Sequence, residues 1–181
     1  GEAIRQSALG LEGFAELEAQ SLRLKLVTMD VADVANEVAD QAYERASAQN
    51  LGLTTDADDG DHRANIDPIR LKRALRNLVS NAIQYNRPGG SVRIATRTDF
   101  DTAEVRIEVH DTGDGLDPQQ VARLFRPFDK MGREVTQVPG AGIGLVVAKL
   151  LVERMGGRIT VGSERGRGSC FAICLPVLPS T

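Results

Sequence analysis

Asp67-Pro-Ile-Arg-Leu-Lys-Arg-Ala-Leu-Arg-Asn77-Leu-Val-Ser-Asn81-Ala-Ile83 is the stretch on which the fold turns. Asp followed by Pro is a strong helix start: an N-cap residue, then a ring whose fixed φ suits the first turn. Leu71, Ala74, Leu75, Leu78, Val79, Ala82 and Ile83 recur with helical period, and Arg87-Pro-Gly-Gly90 ends the run, predicting a helix to about Asn86. Asn77 and Asn81 stand four apart and project from one face of it. Asn competes with the backbone inside a helix, so the plain reading of this pair is solvent-facing or backbone-bonded amides. Their carbonyl oxygens also suit Mg²⁺, which takes few protein oxygens together with substrate phosphates and waters.

Outward from this helix, Ser91–Arg97 and Glu104–His110 alternate in the period-2 manner of paired strands, joined by a turn near Asp99-Phe-Asp101. Further strands are predicted at Leu24–Thr28, Leu51–Thr55 and near Ala64–Ile66. A closing hairpin of Arg158–Ser163 and Ser169–Leu175 surrounds Glu164–Gly168. Asp30 caps a second helix to about Ala48, Pro118–Phe125 is a short one, and Ala141–Met155 ends at Gly156-Gly157. Arg126–Pro139 has no consistent period. Residues 1–24 form an amphipathic helix whose apolar stripe (Ile4, Ala8, Leu11, Ala15) lacks a body to pack on. The sum is an α+β two-layer sandwich: a mixed, mostly antiparallel sheet covered on one face by helices, with that N-terminal helix in addition.

Two glycine-rich blocks and a further glycine turn follow the asparagine helix. Asp111-Thr-Gly113-Asp-Gly115 closes a strand. A carboxylate only accepts hydrogen bonds, so it can select an exocyclic amino group such as that of adenine, while the glycines let the backbone approach a flat base. A β-turn with a capping Asp accounts for most such strings. Gly140-Ala-Gly142-Ile-Gly144-Leu opens a helix, whose unpaired N–H groups and positive dipole end favour phosphate. It is not a dinucleotide fingerprint, because Val135–Pro139 before it reads as a loop rather than a strand, and no Gly-Lys-Ser/Thr of a P-loop is present. Gly166-Arg-Gly168-Ser169 is the last of the blocks.

Composition narrows the field. With 22 basic and 25 acidic residues the net charge is −3, which leaves no footprint for nucleic acid or an anionic membrane surface. No apolar run approaches the roughly 20 residues of a membrane helix, and no signal peptide opens the chain. Cys170 and Cys174, on one face of one strand about 13 Å apart at ~3.3 Å per residue, cannot bridge and read as small core residues. A reducing, cytoplasmic setting fits.

Taken in order, these blocks resemble the N, G1, F, G2 and G3 boxes of the sensor histidine kinases, whose ATP-binding domain has the Bergerat fold shared with topoisomerase II, heat-shock chaperone and mismatch-repair ATPases. The match covers roughly residues 25–178. The resemblance implies ATP and Mg²⁺ as ligands, with Asn81 the Mg²⁺ ligand and Asn77 supporting it. Asp111 would read the adenine amino group, beside Gly113, Gly115 and Leu116. Phe125 and Phe128 resemble the F box at the root of a lid, in which Lys130 and Arg133 would meet the terminal phosphates. Gly140, Gly142, Ile143, Gly144 and Leu145 match the phosphate-side hinge, and Ser169 the last box near the base. Residues 1–24 resemble the second helix of a dimerisation and phosphotransfer hairpin, leaving 25–181 as the catalytic domain. The implied partners are that hairpin with its phosphoacceptor histidine, a response regulator receiver domain and a second copy of the parent kinase. The location is cytoplasmic, as a free protein or as the cytoplasmic part of a membrane-anchored sensor.

Two departures stand out. The family's lysine after the second Asn is replaced by Gln84, before Tyr85, which removes a positive charge near the phosphates and leaves open a catalytically weak nucleotide-sensing or docking module. The phosphoacceptor box is also missing: His62 reads as part of a surface loop and His110 as packing at the pocket edge. An ATPase of the topoisomerase or chaperone type would carry a glutamate base where Asn77 stands.

Overall fold

The computed structural model describes residues 23–125 and 141–178. The predicted helix over 1–24 lies outside them except for its last two residues, as do Phe128, Lys130, Arg133 and Gly140. The elements are β1 (Val27–Asp30), α1 (Val31–Ala48), β2 (Gly52–Ala57), β3 (Arg63–Ile66), α2 (Pro68–Gln84), β4 (Ser91–Asp99), β5 (Glu104–Asp111), α3 (Pro118–Arg123), α4 (Ala141–Arg154), β6 (Arg158–Glu164) and β7 (Gly168–Pro176). Five strands form one sheet in the order β2-β4-β5-β7-β6, with β2 parallel to β4 and every other pair antiparallel; β1 and β3 form a separate antiparallel ribbon. Helices α1, α2 and α4 cover one face, which bears out the two-layer α+β reading.

Strand alternation sorts the side chains. Val105, Ile107 and Val109 of β5, Val92 and Ile94 of β4, and Phe171, Ile173 and Leu175 of β7 point into the helix layer and are buried. They meet Leu71, Leu75, Leu78 and Ile83 of α2 and Leu151 of α4 in one core. Each such side chain, fully removed from water, stabilises the fold by about 1.5–3 kcal/mol. The opposite face carries charge: Arg97 pairs with Asp56 at 3.0 Å, Arg106 with Asp99 at 2.9 Å and Arg158 with Glu104 at 2.8 Å.

The caps are more connected than the sequence predicts. Asp67 Oδ1 accepts from the N–H groups of Ile69 and Arg70 while its Oδ2 accepts from Lys25 N at 2.9 Å, so one buried carboxylate both starts α2 and holds the approach to β1. That contact explains why the first strand begins at Val27 rather than Leu24: the Lys25 amide is committed to Asp67. Asp30 caps α1 through Ala32 N as predicted.

His62 corrects a sequence expectation. It is only 6% exposed rather than on a surface loop. Its Nε2 is hydrogen-bonded to Asp58 Oδ1 at 2.7 Å, its Nδ1 lies 4.0 Å from Asp30 Oδ1, and its carbonyl accepts from Val31 N. Asp58, four residues earlier, satisfies Nε2, and the Asp30 carboxylate stands near the other ring nitrogen, which makes the burial tolerable.

Candidate functional site

Three joints bring the four sequence blocks together. The first joins the asparagine helix to the glycine helix: Asn77 Nδ2 donates to the Gly144 carbonyl at 2.9 Å. The contact lies one turn into α4, so the N-terminal end of that helix is held beside α2. Helix α4 is 14 residues long, and its first N–H groups have no partner within the helix, which makes that end suited to an anion.

The second joint brings α2 to the strand-end loop. Gly113 lies so close to the Tyr85 carbonyl, at the C-cap of α2, that any Cβ would collide with it. Tyr85 N in turn donates to the Asn81 carbonyl one turn earlier. Around this contact the loop after α2 is strapped down: Thr112 Oγ1 donates to Asn86 Oδ1 and accepts from Ser91 N, and Arg87 Nε donates to the Thr112 carbonyl. Sequence reading missed Asn86 and Thr112; an Asn after a helix end and a Thr inside a glycine turn are the signals that could have found them.

The third joint ties that loop to the β6–β7 hairpin. Asp111 Oδ1 accepts from Gly113 N at 2.9 Å and from Ser169 N at 3.3 Å. Gly166 N donates to the Asp114 carbonyl, Leu116 N donates to Ser163 Oγ, and the Ser163 and Ser169 hydroxyls share a 2.7 Å hydrogen bond. Gly168, at φ +99°, sits directly on the Asp111 carbonyl, and Gly115, at φ +70°, on the Glu164 carbonyl. Both positions demand glycine twice over, by backbone conformation and by space.

Asp111 shares its sheet face with Val109 and therefore points into the helix layer. Burial raises its carboxyl above the ordinary range, and the Gly113 and Ser169 N–H groups act against that rise. Both backbone bonds go to Oδ1, so Oδ2 keeps acceptor capacity for a donor from outside the chain. His110, one residue earlier, necessarily faces the other way, which corrects its reading as pocket-edge packing: its Nε2 lies 2.9 Å from Glu108 Oε2 on the charged face. Among the described residues the Asn81 carboxamide, half-buried, makes no hydrogen bond, whereas Gln84 is exposed at the last turn of α2. A hard, unpaired carbonyl oxygen is the donor that a partly hydrated Mg²⁺ accepts, so the residues present fit that ion. Leu145 is buried in the core rather than free to line a cleft. The side chain of Ile143 lies outside the described residues.

Fold and site together define a two-layer ATPase-type domain in which a helix-borne amide pair, a strand-end carboxylate and two glycine turns converge. The chain belongs to the family described as Histidine kinase-, DNA gyrase B-, and HSP90-like ATPase, which matches residues 66–179. It is 30% identical over 167 residues to the alginate biosynthesis sensor protein KinB of Pseudomonas aeruginosa, covering 92% of this chain and 27% of that protein. To the sensor protein GacS of Pseudomonas syringae pv. syringae it is 38% identical over 166 residues, covering 90% of this chain and 18% of that one. The chain thus spans little more than a quarter of the first relative and less of the second. Among solved structures, full-length ShkA in complex with AMPPNP superposes with a TM-score of 0.81, with 29% identity over 95% of this chain and 35% of that one, and the catalytic domain of histidine kinase ThkA with a TM-score of 0.73, with 25% identity over 84% of this chain and 96% of that one.

Proposed function

We propose that this chain is the ATP- and Mg²⁺-binding catalytic domain of a sensor histidine kinase, and that it moves the γ-phosphoryl group of ATP onto a histidine outside these 181 residues. The observation that carries the reading is the anchoring of Asp111: one carboxylate oxygen is fixed by two backbone N–H groups, and the loop bearing it is locked to the helix of Asn77 and Asn81. Oδ2 accepts from the adenine amino group, and the tight Gly113–Tyr85 backbone contact fixes the loop that carries it. Asn81 Oδ1 would hold Mg²⁺, which when bound neutralises phosphate charge and orients the triphosphate. Asn77 holds the positive end of α4 toward the phosphates. Gly113, Gly115, Leu116, Tyr85 and Ser169 shape the base side, and Gly140, Gly142 and Gly144 the phosphate side.

In the transfer itself the bond from the γ-phosphorus to the bridging oxygen of ADP breaks as one forms to an imidazole nitrogen, whose proton passes to a base beside it. Such a reaction depends on positioning and charge more than on covalent help from the protein. Neither histidine of this sequence is placed to accept: His62 is buried with Nε2 engaged, and His110 faces away from Asp111. The acceptor would stand on the helical hairpin of the parent kinase, which works as a homodimer in the cytoplasm and hands the phosphoryl group to a response regulator receiver domain.

Calorimetry with ATP and Mg²⁺, followed by γ-labelled ATP with and without an added phosphotransfer hairpin, tests this. Binding with label on the hairpin alone is the expected result. Binding without transfer to the hairpin would favour a nucleotide sensor, with exposed Gln84 in place of a phosphate-reaching lysine. Acid-labile label on this chain itself would contradict the assignment of the acceptor.

A further inference from the structure

The charged face of the sheet carries a cluster that the nucleotide reading does not use. His110 of β5 and Cys170 of β7 are a directly opposed pair, and Glu108 lies two residues along β5 on the same face. His110 Nε2 is 2.9 Å from Glu108 Oε2 and 3.8 Å from Cys170 Sγ, and one ligand atom from each residue falls within 4.8 Å of the other two. In a tetrahedral zinc site, Zn–S near 2.3 Å and Zn–N or Zn–O near 2.0–2.2 Å put neighbouring ligand atoms about 3.4–3.6 Å apart. To take such an ion, His110 Nε2 and Glu108 Oε2 move apart by about half an ångström, His110 Nε2 and Cys170 Sγ close by less, and the Glu108–Cys170 pair, within 4.8 Å, closes as well. All three sit on paired strands of a closed hydrogen-bonded ladder rather than on loops, so the scaffold is rigid where it matters.

The next position in the same row, opposite Cys170 on β6, is Gly162, and space is open around the point where its Cβ would lie. That gap gives access to the cluster and leaves a fourth coordination position to solvent. The donor set is one imidazole, one thiol and one carboxylate, which suits Zn²⁺ and related borderline-soft ions and not Mg²⁺ or Ca²⁺. On binding, the sulfur–metal bond forms as the thiol proton leaves to solvent, and carboxylate plus thiolate balance the two positive charges. Arg93, opposite His110 on β4, is the cation that counts against this, and its guanidinium lies 4.0 Å from Asp56. Burial and the neighbouring Glu108 raise the Cys170 thiol to about 11, so the free sulfur is protonated at neutral pH and the metal must displace that proton.

We propose that Glu108, His110 and Cys170 form a three-ligand site for a Zn²⁺-class ion on the helix-free face of the sheet, behind Asp111. The site is independent of nucleotide, since its ligands face away from the pocket.

The experiment titrates the whole 181-residue chain, without nucleotide, with Co²⁺ as the spectroscopic probe and then with Zn²⁺. One equivalent of Co²⁺ producing a sulfur-to-cobalt charge-transfer band and the intense visible bands of a tetrahedral ion, both bleached by Zn²⁺, is expected. C170S should abolish the charge-transfer band, C174A should keep it, and H110Q should weaken cobalt binding at least about tenfold, the lower bound seen even for outer-shell changes. No charge-transfer band, a band that survives in C170S or vanishes in C174A, or undiminished affinity in H110Q would each overturn the site. Urea midpoints of the variants confirm that each is folded, and H110Q leaves the thiol in place should C170S unfold.

Discussion

Asn77 and Gly144 lie 67 residues apart in the chain and are joined side chain to backbone, carboxamide nitrogen to carbonyl oxygen, at 2.9 Å. Among the described residues, this bond ties the one α2 asparagine whose side chain is hydrogen-bonded to the first turn of α4. Asn77→Ala should lower unfolding stability by about 1 kcal/mol, the net worth of one such bond. It should weaken ATP binding by more than the same loss does to the fold, because the phosphate end of α4 is released. Urea denaturation and calorimetry on one preparation read both effects. Full ATP affinity in a destabilised variant would show that the bond is purely structural.

Asp111→Asn keeps the acceptor for Gly113 and Ser169 but replaces the second carboxylate oxygen with a donor. The fold should survive. ATP affinity should fall about tenfold to a hundredfold, as losing a charge-assisted bond worth about 1.5–3 kcal/mol implies. Fluorescent-nucleotide displacement measures this, and an unchanged constant would remove Asp111 from the adenine site.

For Asn81 the diagnostic quantity is a ratio. ATP affinity measured with Mg²⁺, divided by that measured in EDTA, should collapse toward one in Asn81→Ala, while the affinity in EDTA changes little. A ratio equal to wild type would place the ion elsewhere.

Gly168 and Gly162 make a matched pair on neighbouring strands. Gly168→Ala meets a φ of +99° and the Asp111 carbonyl. It should cost about 1–3 kcal/mol and loosen Asp111 with it. Gly162→Ala enters open space and should be near neutral. Thermal melts of the two variants should separate by several degrees; equal melting temperatures would mean the hairpin turn is not strained against β5.

Acid should act through Asp58. Burial raises its carboxyl, but hydrogen bonds from Thr98, His62 and Gly60 outweigh this and hold it below the ordinary carboxylate value. A depressed folded value means stability is present above the unfolded carboxylate range near pH 4 and is lost as pH falls through the folded value. The groups facing it are His62 and, across the imidazole, Asp30. Asp58→Asn should be less stable at neutral pH and lose less on acidification, and parallel urea titrations would check the slopes.

Local patterns made much of this legible. The apolar period of α2, the Asp67-Pro68 start and the alternation of β4 and β5 each specify their element from neighbours in sequence. Long-range pairing does not register in a local pattern. Nothing near β7 reveals that it inserts between β5 and β6, nor anything near β2 that it runs parallel to β4. The burial of His62 has the same origin, since Asp30 and the start of α1 are brought against it by the β1–β3 ribbon. His110 differs, because strand alternation alone puts it on the face opposite to that of Asp111. The asparagines, Asp111 and the glycines follow from residue type and spacing, and Asn86 and Thr112 carry local turn signals, whereas Ser163 emerges only once the β6–β7 hairpin meets the strand-end loop.

The reciprocal close approaches at Gly115 and Gly168, each glycine against the other segment's carbonyl, bear on how this domain can be re-engineered. A chimera that swaps the β6–β7 turn for a longer or bulkier one, while leaving residues 111–116 native, would import a wedge against the strand end and tilt its carboxylate. The two turns form one transplantable cassette, and donor domains for grafting should be chosen for both together.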